Sequence, residues 1–97
     1  MATSLERERE AVLEALRSHL QGLGVRLYLV GSGARGTLRR GSDLDLALFS
    51  ERPLAHLLPL LREALEEAPV VHRVDLAEAD PAFRAQVLEE GVLWGEV

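Results

Sequence analysis

Val30 to Leu46, Val-Gly-Ser-Gly-Ala-Arg-Gly-Thr-Leu-Arg-Arg-Gly-Ser-Asp-Leu-Asp-Leu, is the stretch around which the chain is organised. An apolar run, Val25 to Val30, broken only by Arg26, delivers the chain into Gly31-Ser32. After ten intervening residues come Asp43 and Asp45, which open a second apolar run to Phe49. The glycines let backbone N–H groups approach an anion closely. Two aspartates at i and i+2 on a strand leave from the same face. An N–H cradle facing two same-side carboxylates can hold a polyphosphate through divalent metal ions, so the stretch reads as a nucleotide site.

Outward from this stretch the chain alternates helices and strands. Upstream, Thr3 or Ser4 caps a helix whose Leu5, Val12, Leu13, Leu16 and Leu20 recur at helical spacing and which Gly22 or Gly24 ends. Its charged face reads as solvated. Val25 to Val30 forms a first strand, and Gly33 to Arg40 leaves room for at most two helical turns. Asp43 to Phe49 alternates Leu44, Leu46 and Leu48 against Asp43, Asp45 and Ala47, the period of a strand with one core face. Pro53 is placed to begin a helix carrying Leu54, Leu57, Leu58, Leu61 and Leu65, with Pro59 kinking or restarting it. Val70 to Leu76 is a third strand, with Arg73 and Asp75 on one face and His72, Val74 and Leu76 on the other. Asp80-Pro81 starts a last helix through Glu90, and Gly91 to Trp94 returns as a short edge strand.

The connection between the first two strands is too short for a parallel crossover, so they are expected to pair antiparallel. The third follows a full helix and is free to run parallel to the second. The expected fold is α+β: one domain over residues 1–97, a small mixed β-sheet with helices packed mainly on one face.

Composition narrows the function classes. The net charge of −5 argues against non-specific nucleic-acid binding. No apolar stretch approaches the ~20 residues of a membrane span, and the charged N-terminus is unlike a secretory signal. Absent cysteine excludes Cys-ligated zinc and suits a cytoplasmic protein. All 11 basic residues are arginine, so no lysine serves as phosphate clamp or nucleophile.

Gly31-Ser-Gly33-Ala-Arg-Gly36 satisfies G-x-G-x-x-G, but a dinucleotide-binding unit needs a full helix next and an acid about 20 positions on. Here Gly41 stops the helix, and the acids follow at Asp43 and Asp45. The Walker pattern fails, since no Gly-Lys-Ser/Thr exists. The composite pattern instead resembles the nucleotidyltransferases of the DNA polymerase β superfamily, and more closely the minimal nucleotidyltransferases. Their Gly-Ser-x-Ala-Arg-Gly, short spacer and Ser-Asp-x-Asp-Leu are matched by Gly31 to Gly36, Thr37 to Gly41 and Ser42 to Leu46. The resemblance spans nearly the whole chain.

That resemblance implies a polymerase β-like nucleotidyltransferase fold with Asp43, Asp45 and Asp75 as catalytic carboxylates and metal ligands. Val74-Asp75-Leu76 fits the family's third carboxylate by position, against the reading of Asp75 as a capping or strand-end residue. Gly31 and Ser32 would hold the phosphates, with Arg35 reaching a phosphate or pairing structurally within the loop. Arg39 and Arg40 suit acceptor contacts or solvent, and His19, His56 and His72 read as structural. Two Mg²⁺ ions are the implied cofactors, ATP is the implied substrate, and NMP is transferred to an acceptor hydroxyl. The implied partner is a HEPN-class protein, usually an RNase toxin, with this chain as the antitoxin, in a homo- or hetero-oligomer. Two functions remain: a transferase acting on a partner protein's hydroxyl, and a binding module that neutralises the partner by complex formation. Exposed leucines near Trp94 or on the Pro53 to Glu67 helix would favour the second. Aminoglycoside adenylylation is a weaker third, since such enzymes carry a further domain.

Overall fold

The computed structural model describes residues 4–36, 43–70 and 72–97, leaving aside the side chains of Ser4, Leu5 and Ser32. Helix α1 (Ser4–Leu20) buries Val12, Leu16 and Leu20, one residue per turn along a single stripe. It ends where Gly22 and Gly24 adopt φ of 84° and 66°, conformations that glycine reaches without steric cost. The same four-residue spacing carries the stripe back to Glu8, which is buried despite its charge. Its carboxylate accepts from the His72 backbone N–H at 2.9 Å and lies 2.8 Å from His72 Nδ1. At this position the charged face of α1 is core, not solvated, and His72 is structural with an acidic partner.

Strands β1 (Arg26–Val30), β2 (Leu44–Phe49), β3 (Val74–Glu78) and β4 (Val92–Glu96) form one sheet in the order β3-β2-β1-β4. β1 pairs antiparallel with β2 and with β4, whereas β2 pairs parallel with β3. Both expectations about strand direction hold. Leu44, Leu46 and Leu48 of β2 join Leu27, Leu29, Leu76 and Trp94 in the main core, closed by α1 and by α3 (Leu58–Glu67) through Leu61 and Leu65. The opposite face is covered too: Tyr28, Ala47, Phe49 and Ala79 pack with Val87 of α4 (Pro81–Glu90). Thus Ala47 and Phe49, on the Asp45 side of β2, are buried, as are the leucines on its other side.

Two boundaries differ from the sequence expectation. α3 starts at Leu58 rather than Pro53, with Pro59 in its first turn, where its missing N–H costs nothing. Before it, Leu57 and Leu58 donate to Leu54 O in a turn, and Leu54 N–H is taken by Glu78 Oε2 at 2.7 Å. β3 starts at Val74 rather than Val70, because β2 begins at Leu44, the register partner of Val74. The preceding N–H of His72 is bound by Glu8 instead of by a strand. At α4 the expected cap is present: Asp80 accepts from Phe83 N–H at 2.8 Å, with Pro81 in the first turn.

Candidate active site

The β2–β3 register sets the site. Asp45 stands directly beside Asp75 on the neighbouring strand, and across the antiparallel pair it faces Val30, the last residue of β1. In-register neighbours point to the same face, so the two carboxylates emerge together on the side opposite the leucine core. From Val30 the chain turns at once into the single-turn helix α2 (Gly31–Ala34). Gly31 has φ of +68°, and a Cβ there would lie 2.5 Å from Asp45 Oδ2. The left-handed backbone disfavours a side chain, and a Cβ would have to push the neighbouring carboxylate aside, so a glycine at this point brings main chain and acid together.

Burial raises the Asp45 carboxyl above its ordinary value of 3.8, and the charges of Asp75 and then Asp43 push it in the same direction. The Arg35 guanidinium opposes them. Arg35 lies at the end of α2, its N–H donating to Gly31 O at 3.2 Å. Asp75 and Asp43, both singled out in the sequence, therefore act electrostatically on Asp45, and Arg35 acts on it in the opposite sense. Gly31 is in place beside Asp45. Ser32 belongs to α2, but its side chain lies outside the described residues, as do Arg39, Arg40 and Ser42.

Two clefts meet at these carboxylates. One, of 390 Å³, holds Gly31, Arg35, Asp45 and Asp75 at one end and is walled by Phe83, Gln86, Val87 and Glu90 of α4. The other, of 750 Å³, contains Asp43 and Asp75 together with Arg62 and Arg73. Asp75 lines both. The α4 wall was missed in the sequence, where Phe83 and Val87 share a helical face with the polar Gln86 and Glu90 while Leu88 lies off it. Among the described residues, no three His, Cys, Asp or Glu side chains form a group that holds a metal ion by itself. The donor set is nonetheless all carboxylate oxygen. Repulsion between like-charged carboxylates is relieved by a divalent cation, and Mg²⁺ characteristically takes one or two carboxylates and completes its shell with phosphate and water.

The family description "nucleotidyltransferase domain" matches residues 9–92. The chain belongs to the nucleotidyltransferase domain family. It is 42% identical over 53 residues to the probable protein adenylyltransferase MntA of Haemophilus influenzae, an alignment that covers 54% of this chain and 46% of that protein. The chain thus matches about half the length of this curated relative. Among solved structures it resembles a toxin–antitoxin crystallised with AMP-PNP, at a TM-score of 0.66 and 27% identity, covering 92% of this chain and 73% of the other. The MntA–HpeT toxin–antitoxin, in a variant with two aspartates two positions apart changed to glutamate, gives 0.64 at 25% identity, with the same coverage of 92% and 73%. A structure described as a minimal nucleotidyltransferase gives 0.58 at 37% identity over 92% of this chain and 91% of that one. The α+β sheet and helices match this fold, and among the described residues no helix is long and apolar enough to cross a membrane.

Proposed function

We propose that this nucleotidyltransferase domain transfers AMP from ATP to a hydroxyl of a partner protein, and that it acts as the antitoxin of a HEPN-class toxin. The observation that carries the catalytic reading is the in-register pair Asp45–Asp75 beside Gly31, with Asp43 close enough to raise the pKa of Asp45. The adenylyltransferase relative and the toxin–antitoxin neighbours support the substrate and the biological role.

Asp43, Asp45 and Asp75 would hold two Mg²⁺ ions, which supply charge neutralisation for the triphosphate and a lowered pKa for the attacking hydroxyl. The residues of the chain do the positioning. Gly31 brings backbone N–H groups to the phosphates, the Ser32 hydroxyl adds a donor, and Arg35 neutralises phosphate charge from the end of α2. The acceptor oxygen attacks the α-phosphorus in line with the departing oxygen. The new O–P bond forms as the bond to the β-phosphate bridging oxygen breaks, releasing pyrophosphate. Asp75, exposed on β3 and shared by both clefts, receives the hydroxyl proton.

The test is incubation with Mg²⁺ and α-labelled ATP, with and without the product of the adjacent gene, alongside the D43A/D45A variant. Label on the neighbour that depends on the aspartates supports transfer. A stable complex and ATP binding without label would sink ATP-dependent transfer to that partner.

A second reading, neutralisation by complex formation, draws on Leu88, Val92 and Leu93, which are 46–56% exposed within six residues of chain. Leu60 on α3 is exposed as well, whereas Trp94 is core. Leu93→Glu should weaken a pull-down of the neighbour while leaving ATP binding intact. Unchanged co-purification would remove that surface from the account.

A further inference from the structure

The 390 Å³ cleft extends well beyond the carboxylates, and α4 forms its far wall. The course of α4 orders that wall. Its C-terminal end is seated on the end of β1: a Cβ at Gly91 would lie 3.3 Å from both Leu29 O and Val30 Cγ1. Glu90 therefore stands beside the turn into Gly31. At the other end of the helix, Phe83 packs against the cluster of Tyr28, Ala47 and Phe49, further along the strands from Asp45. Gln86 lies between them, its Nε2 donating to Glu90 Oε2 at 3.4 Å. All three line the cleft, and at about 1.5 Å per residue their Cα atoms span roughly 10 Å of helix. That is the scale of a nucleoside measured from ribose to the far edge of a purine.

Resting on the transferase reading above, we propose that α4 is the nucleoside subsite of this chain. Glu90 accepts from the ribose 2′- and 3′-hydroxyls, the Gln86 amide reads the base edge, and the base stacks on Phe83. The chemistry suits each assignment. A carboxylate is acceptor-only and matches a vicinal diol. A carboxamide offers one donor and one acceptor, the complement of adenine N7 and its 6-amino group. A half-buried phenyl ring on the wall of the groove provides a stacking surface. The ligand is thus an adenine ribonucleotide, with its triphosphate at Gly31, Asp45 and Asp75.

The test is calorimetric binding of ATP, dATP, ITP and inorganic tripolyphosphate, each with Mg²⁺, to the full chain. ATP should bind about tenfold more tightly than dATP and about tenfold more tightly than ITP, the size of one lost hydrogen bond to a committed partner. Glu90→Ala should abolish the ATP–dATP difference, and Gln86→Ala the ATP–ITP difference. Phe83→Ala should weaken ATP by about tenfold, with Phe83→Trp restoring it. Tripolyphosphate should still bind every variant, which also reports that each has folded. Equal binding of all three nucleotides, or α4 variants that leave ATP affinity untouched, would overturn the subsite while leaving the transferase reading standing. Absence of binding by any triphosphate would instead overturn the transferase reading itself.

Discussion

The two faces of the sheet are built from alternate residues of the same strands and finished in opposite ways. On one, Leu27, Leu29, Leu44, Leu46, Leu48 and Leu76 close against α1 and α3 into a core from which water is excluded. On the other, burial reaches Tyr28, Ala47 and Phe49 under α4 and then stops, leaving Asp45 half-buried and Asp75 exposed. The first face stabilises the sheet, and the second spends part of that stability on holding like charges together. Neither would serve alone. Carboxylates on adjacent strands keep their spacing only because the leucines behind them fix the register.

Breaking the packed face should have the largest effect. Leu27→Ala removes a fully buried side chain from the central pair of strands and should cost about 2–5 kcal/mol, read as a lowered denaturation midpoint. Next comes Glu8, a carboxylate buried in that face. Glu8→Ala leaves the His72 N–H without its acceptor and should cost about 1–3 kcal/mol, read the same way. At the join between the faces, Gly31→Ala forces a Cβ into a left-handed backbone and onto the Asp45 carboxylate. It should cost about 1–2 kcal/mol, and ATP binding by calorimetry should fall with it.

The smallest effect has the opposite sign and sharpens the contrast. In chelator at neutral pH, Asp45→Asn should raise the melting temperature by a few degrees, because it relieves the repulsion from Asp75 and Asp43. Folding raises this carboxyl's pKa, so the folded state binds the proton more tightly than the unfolded state does. The penalty is therefore absent below 3.8, where both states are protonated, and grows as pH rises through the folded value. Thermal melts of both proteins across that range should converge on the acid side. A variant less stable than the parent at neutral pH would mean that Asp45 is net stabilising.

Much of this was legible because local chemistry decided it. Asp80-Pro81 caps α4 whatever lies nearby, and the short path from Val30 to Leu44 permits only an antiparallel pair. Asp43 and Asp45 stood out because charges at strand spacing among leucines need a reason beyond packing. The misreadings arose where distant chain competes for a local group. Glu8 looked solvated because its partner is 64 residues away, and Pro53 looked like a helix start because nothing local shows Glu78 taking the Leu54 N–H. The α4 wall was invisible for a related reason. The face it turns to the cleft mixes Phe83 and Val87 with the polar Gln86 and Glu90, so it shows no clean apolar stripe.

The sequence by itself determined the elements, their order, the direction of the β1–β2 pair and the acids that mattered, since all follow from periodicity, turn residues and the limits of short connections. Only the tertiary structure decided that Asp75 stands beside Asp45, that both sheet faces are covered and that α4 closes the cleft. Those facts depend on parallel register and on helix docking across the sheet. Both are set by side chains that meet only after the chain has folded.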